Sequence, residues 1–202
     1  ALKGPIDYTV KLVARASVEL KFLYVEAAER RTGELLGRTR IELTSHNWRQ
    51  YEAVLYVSRA CAEAEIRVYV PADHPGWPDH VSTGMLWLDH VSLLPADSFG
   101  FVKREVIEMT RPLNAGMMRI SGNYISAYHW EHGVGPVLER PVMYNEAWGG
   151  WTSKYFGTDE FIAFCRELGV EPLISVNDGS GTPEEAASWI EYCNGSADTP
   201  MG

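Results

Sequence analysis

The stretch "TDEFIAFCRELGVEPLISVNDGSGTPEEAASWIEYCNG", Thr158 to Gly195, decides the fold. Phe161, Phe164, Cys165 and Leu168 recur three and four apart, as one buried helix face requires, and Gly169 follows as a stop. "EPLISVN" then reads as a short apolar strand, and "TPEEAASWIEYCNG" as a second helix. Its start is marked by Thr182 as N-cap, Pro183 at the first helical position and Glu185 three residues after the cap, the pattern of a capping box. Upstream, "FVKREVIEMTRPLN" predicts a helix over 101–112 and "AGMMRIS" another strand. Strands and helices in alternation mean parallel β/α units.

Before about residue 97 the period is different. Tyr8, Val10, Leu12 and Ala14, then Ala53, Leu55 and Val57, then Ile66, Val68 and Val70 alternate with polar residues, as half-buried strands do. "RRTGELLG" and "PADHPGWPDH" read as the turns between such strands. The expected fold class is therefore all-β plus α/β, an antiparallel β-sandwich over 1–96 followed by β/α units over 97–202, with the join in "LDHVSLLPADSFG".

Composition narrows the function. The chain has 202 residues, 46% of them hydrophobic, and a net charge of −9, with no basic cluster to track a phosphate backbone. Nucleic acid is not an expected partner, and a neutral substrate fits better. No apolar run approaches the roughly 20 residues that span a bilayer, and "ALKGPIDYTV" lacks the order of a signal peptide, so neither a membrane nor secretion is expected. Cys61, Cys165 and Cys193 are unpaired in spacing and read as three buried thiols in a reducing, cytoplasmic compartment.

Ligands of β/α barrels and of open α/β sheets sit at the carboxyl ends of strands, so "SGN" after one strand and "NDGSG" after the next face one potential site. "MRISGNYISAYHWEHGVGPVLERP", Met118 to Pro141, raises a further question. A loop much longer than about twelve residues is functional or disordered, and this one is too aromatic for disorder.

"LDHVSLLPADSFG", "RISGNYISAYHWEHGVGPVLERP", "AWGGWTSKYFGTDEFIAFCRELGVEPLISVN" and "AASWIEYCNGSADTPMG" together resemble the α-L-arabinofuranosidases of glycoside hydrolase family 51, across residues 85–202. The first 84 residues are more loosely similar to the carbohydrate-binding-module type of sandwich that some members insert, "SHNWRQYEAVLYV" most of all. The resemblance implies the early part of a (β/α)8 TIM barrel after that sandwich. It implies removal of terminal L-arabinofuranose from hemicellulose oligosaccharides with retention, without a metal or other cofactor. It assigns substrate binding to Arg119 and Asn123 on the floor of the arabinofuranosyl site and to Trp148 on its wall. Those residue types suit sugar recognition, because they supply a fork of donors, an amide that donates and accepts, and an indole for an apolar sugar face.

There are departures. The family reads Arg, an apolar or aromatic residue, Pro, Gly, Gly, Asn, whereas this chain reads Arg119, Ile120, Ser121, Gly122, Asn123, one residue shorter, which moves Asn123 relative to Arg119. A retaining glycosidase also needs two carboxyl groups about 5–5.5 Å apart. The family carries them on the fourth and seventh barrel strands, which this stretch does not include, so no catalytic residue is assigned and the chain alone is expected to be inactive. Asn145-Glu146 is the family's catalytic dipeptide in the wrong place, after a loop. The expected partners are an arabinose-containing oligosaccharide, the remainder of the barrel or another chain that completes it, and a second copy in a homo-oligomer. Two other readings stand beside this one: a non-catalytic carbohydrate-binding or assembly module, and part of a family 51 endoglucanase.

Other polar residues have plainer readings. Glu131 and Glu139 read as surface acids, and Asp159 and Glu160 favour the dipole of the helix they begin. Asp178 either touches substrate or serves its turn. The glycines of "NDGSG" lack the lysine of a phosphate loop, and His74 with His80 and His129 with His132 lack a further ligand for a metal. Trp48, Trp77 and Trp87 form a sugar-stacking platform, or one of them takes a core or inter-domain place.

Overall fold

A computed structural model describes residues 1–71 and 84–201. The chain divides into two compact units, residues 1–98 and 99–202.

In the first unit the alternating runs become β1 (Ile6–Ala16), β2 (Phe22–Glu29), β3 (Leu35–Glu42), β4 (Arg49–Val57), β5 (Ala64–Tyr69) and β6 (Leu86–Pro95). They form two three-stranded antiparallel sheets, ordered β4-β1-β6 and β3-β2-β5. Tyr8, Val10, Leu12 and Ala14 of β1 meet Leu23, Val25 and Ala27 of β2, with Leu55 and Val57 of β4, in one buried cluster. Each buried Leu or Val contributes roughly 1.5–3 kcal/mol by leaving water. This is the expected sandwich.

Its details differ in three places. "RRTGELLG" is not all turn, because β3 begins at Leu35 and Leu36 is buried in the core. The turn needs only the residues up to Glu34, helped by Gly33 at φ 74°. Gly37 lies so close to β4 that an added Cβ would stand 2.0 Å from the Tyr56 carbonyl oxygen. Strand β2 escaped the alternation rule because its outer face is also covered: buried Glu26 accepts a 2.5 Å hydrogen bond from Tyr69 OH and pairs with Arg38. Burial raises the Glu26 carboxyl, but the Tyr69 and Arg38 hydrogen bonds outweigh it and leave it below the usual glutamate value. At β5, Ile66 is 39% exposed, since β5 is the last strand of its sheet. "PADHPGWPDH", with His74, Trp77 and His80, falls outside the described residues save for Pro71.

The second unit holds α1 (Arg104–Thr110), α2 (Thr158–Leu168) and α3 (Pro183–Asn194), with strands β7 (Met117–Ile120), β8 (Met143–Tyr144), β9 (Trp151–Thr152) and β10 (Glu171–Ile174). The helix expected over 101–112 is shorter. It tightens to a 3-10 turn at Arg111–Leu113, where Pro112 has no N–H to give, and Asn114 ends it at φ 49°. Helix α2 runs as the spacing predicts and stops at Gly169, φ 73°. Helix α3 starts on Thr182, whose hydroxyl accepts the Glu185 N–H at 3.2 Å. The capping box is half made, because the Glu185 carboxylate lies on His129 Nδ1 at 3.0 Å. No helix of the described residues is long and apolar enough to cross a membrane.

Strands β7 and β10 pair in parallel, Met117 with Glu171 through Ile120 with Ile174. Residues paired across a parallel ladder point to the same side. Met118, Ile120 and Ile174 pack under the helices, against Ile107, Phe164 and Leu168 on one side and Ile125, Tyr128, Trp130 and Trp189 on the other. Met117, Arg119, Glu171 and Leu173 lie on the opposite face, and all four are exposed.

Candidate functional site

The loops that follow the two parallel strands touch. Ser126, after β7, accepts the Ser180 N–H at 3.0 Å on its carbonyl, and its hydroxyl donates to Asp178 at 3.3 Å. Gly179 permits the approach, for a Cβ there would stand 2.4 Å from the Ser126 carbonyl oxygen. Buried Asn177 shapes the second loop by accepting the Gly179 and Ser180 N–H groups at 3.2 and 3.0 Å. The loop after β7 and "NDGSG" after β10 thus meet at one end of the sheet, through Ser126 rather than through "SGN" itself. Asp178 is exposed, and its carboxylate is held by Ser126.

Arg119 sits on the uncovered face of β7, exposed and without an ion pair or side-chain hydrogen bond among the described residues. Asn123 follows in the short turn, also exposed, after Gly122 at φ 94°. Trp148 lies at the tip of the β8-β9 hairpin and is 73% exposed. Asn145 holds that tip, its side-chain oxygen accepting the Ala147 and Trp148 N–H groups at 3.1 and 3.0 Å. Asn145-Glu146 therefore does follow a strand, but an antiparallel hairpin strand of two residues, and Asn145 serves its turn. None of Arg119, Asn123 and Trp148 lines the cavities beside His129 and Lys154, and each stands open to solvent.

The aromatic loop is mostly core. Ile125, Tyr128 and Trp130 are buried, the Trp130 ring stacks on Trp189 of α3 at 6.3 Å, and Tyr192 lies 4.9 Å from Trp130. Trp189 Nε1 donates to Thr158 at 3.0 Å, tying α3 to the start of α2. So the length of the loop has a structural cause: short 3-10 turns replace a helix and bury rings against α3. Burial raises the Tyr128 phenol far above its ordinary value.

Two cations in this region have no signal in periodicity or spacing. Arg140, 7% exposed, spends its donors on the Gly135 carbonyl, the Lys154 carbonyl and both oxygens of Glu160, at 2.8 to 3.0 Å. Glu160 also accepts the Gly157 N–H at 2.9 Å, so it caps α2 and anchors the aromatic loop together. Burial pushes the Glu160 carboxyl up, but the Arg140 and Gly157 hydrogen bonds more than reverse this and hold it below 4.5. Lys154, 5% exposed, donates to Tyr124 OH at 2.6 Å, with its ammonium 4.7 Å from the Tyr124 ring centroid and 4.9 Å from that of Tyr128.

The remaining acids and thiols are structural in their contacts. Asp159 accepts from Tyr192 OH at 2.9 and 3.0 Å, and burial, then Asp159, push that phenol up to about 12. Glu131 and Glu139 are both exposed. His129 and His132 line a cavity of about 570 Å³ with Glu131, Glu184 and Glu185, yet no three His, Cys, Asp or Glu side chains among the described residues are placed to hold a metal ion. Cys61 and Cys165 are buried and Cys193 only half-buried, all three outside any disulfide, with burial raising the Cys165 and Cys193 thiols. In the sandwich, Trp87 and Trp48 flank the Arg15 guanidinium, at 4.1 and 5.8 Å.

Polar residues thus gather at the carboxyl ends of the two parallel strands, where ligands of β/α folds are bound. Residues 109–202 match the family described as "Alpha-L-arabinofuranosidase 1 domain". The probable α-L-arabinofuranosidase C of Aspergillus terreus is 45% identical over 105 residues, 52% of this chain and 21% of that protein. The intracellular exo-α-L-arabinofuranosidase of Bacteroides ovatus is 39% identical over 120 residues, 58% of this chain and 23% of that protein. A family 51 α-L-arabinofuranosidase solved with arabinose bound superposes on 97% of this chain and 35% of its own, at TM-score 0.79 and 18% identity, a likeness of fold. The second half of the chain is thus similar to part of that arabinofuranosidase domain. The chain spans about a fifth of the length of the curated relatives it matches.

Proposed function

We propose that the chain is the sandwich and the early β/α units of a retaining α-L-arabinofuranosidase acting on terminal L-arabinofuranose of hemicellulose oligosaccharides. The observation that carries this reading is the uncovered face of the β7-β10 pair, with Arg119 near its carboxyl end. In a closed (β/α)8 barrel that face is the interior, and residues at the carboxyl ends of the strands form the site. Partial barrel and site are one proposal: strands from the rest of the protein cover Met117 and Leu173, and Arg119, Asn123 and Trp148 bind the arabinofuranosyl ring. A boundary near residue 97 and a cytoplasmic location, like that implied by the name of the Bacteroides ovatus relative, belong to the same reading.

The part of these 202 residues in the reaction is to bind and orient. Arg119 and Asn123 offer donors to the sugar hydroxyls, and Trp148 offers a flat apolar wall. The carboxylate pair is assigned to other strands, so hydrolysis is not assigned to this chain. Trp148→Ala in the intact enzyme is expected to lower kcat/KM about tenfold, equivalent to about 1.4 kcal/mol of transition-state binding. An unchanged kcat/KM removes Trp148 from the site.

The second reading, a binding or assembly module completed by another chain or by a second copy, is favoured by the same open face, whose strand edges invite pairing. Titrating arabino-oligosaccharides into the isolated chain separates the two. Saturable binding by the chain alone supports the module, and binding only in the intact protein supports the enzyme segment.

A further inference from the structure

Lys154 poses a problem of charge. The residue is only 5% exposed, and no carboxylate lies within 4.0 Å of its ammonium among the described residues. Buried ammonium groups are paired or lose their charge, because removing an unpaired ion from water is costly. Here Tyr124 OH takes one of three N–H donors, and two ring faces give partial compensation. Two donors remain, and Lys154 lines a cavity of about 150 Å³ with Tyr124, His132, Tyr144, Asn145 and Glu146.

We propose that this cavity binds a carboxylate-bearing monosaccharide of the uronic acid type, its carboxylate on the Lys154 ammonium. The volume is about half the ~300 Å³ at which pockets for larger ligands begin, so it suits one sugar ring. The His132 ring and the Asn145 amide supply further donors on the wall, and the exposed Tyr144 ring supplies a face for the sugar. Glu146 on the same wall repels any anion, a doubly charged phosphate more than a singly charged carboxylate. The backbone of Lys154 is fixed in place, since Arg140 holds its carbonyl at 3.0 Å. The site rests on the carbohydrate-binding reading and deepens it by adding an acidic sugar as the class recognised beside arabinose.

The test is calorimetric titration of the 202-residue chain with D-glucuronate, D-xylose, acetate and inorganic phosphate, together with the Lys Nζ resonances of isotope-labelled protein. Glucuronate is expected to saturate and to shift one buried lysine signal, and to bind at least tenfold more tightly than the other three. Lys154→Met should weaken glucuronate at least tenfold, and an unchanged affinity overturns the proposal. Equal affinity for xylose, acetate or phosphate overturns the proposal, as does an unmoved lysine signal in the unsubstituted chain. None of these readouts involves arabinose, so failure here is distinct from failure of the arabinofuranosidase reading.

Discussion

The sandwich and the β7-β10 pair solve the problem of a sheet's two faces differently. In the sandwich each three-stranded sheet turns its apolar face on the other, and Leu12, Leu23 and Leu55 are fully buried. The parallel pair has helices on one face, while on the other Met117 is 59% and Leu173 45% exposed. The first unit closes its own core. The second is stabilised by the aromatic loop and Arg140, away from the bare strand face, and this separates the residues that hold it together from those proposed to bind sugar.

The strongest way to break that contrast is at Arg140. Arg140→Met leaves Glu160 half-buried without its cation, so the second unit should lose about 3–5 kcal/mol. In a denaturant titration its transition should move while that of the sandwich stays. Glu160 adds a pH signature: its folded value is depressed, so its contribution is present above the ordinary glutamate value of 4.5 and is lost as pH falls through the lower folded value. Glu160→Gln should flatten that acid-side loss in the second transition. A single cooperative transition affecting both units would refute the independence of the two.

Next in size is the sandwich core. Leu55→Ala should cost the first unit about 2–5 kcal/mol through lost burial and the cavity left behind, without moving the second transition. The smallest effect is expected on the bare face. Leu173→Gln should change the stability of this chain by no more than about 0.5 kcal/mol, as surface substitutions do. In the full-length protein it should be destabilising by about 2 kcal/mol or more if other strands cover that face. Equal tolerance in both would sink the barrel reading.

Legibility followed periodicity. Helix α2 was readable to the residue because Phe161, Phe164, Cys165 and Leu168 carry one apolar stripe and Gly169 ends it. Strand β2 was not, since Glu26 interrupts its apolar run and is covered by Tyr69 and Arg38 from neighbouring strands. At the site, the meeting of the loops after β7 and β10 followed from strand order. The burial of Lys154 could not, because nothing in "TSKYFG" distinguishes it from a surface lysine.

By itself, then, the sequence determined which segments alternate every two residues and which every three or four, where glycine and proline stop them, and which family the later segments resemble. These are local facts, set by side-chain periodicity and backbone geometry. Only the tertiary structure decided that the aromatic loop is core, that Glu160 belongs to Arg140, that one face of the β7-β10 pair is exposed, and that Lys154 is buried with no carboxylate paired to it among the described residues. Each depends on contacts between residues far apart in the chain, and a one-dimensional pattern does not encode which distant groups meet or how much water they exclude.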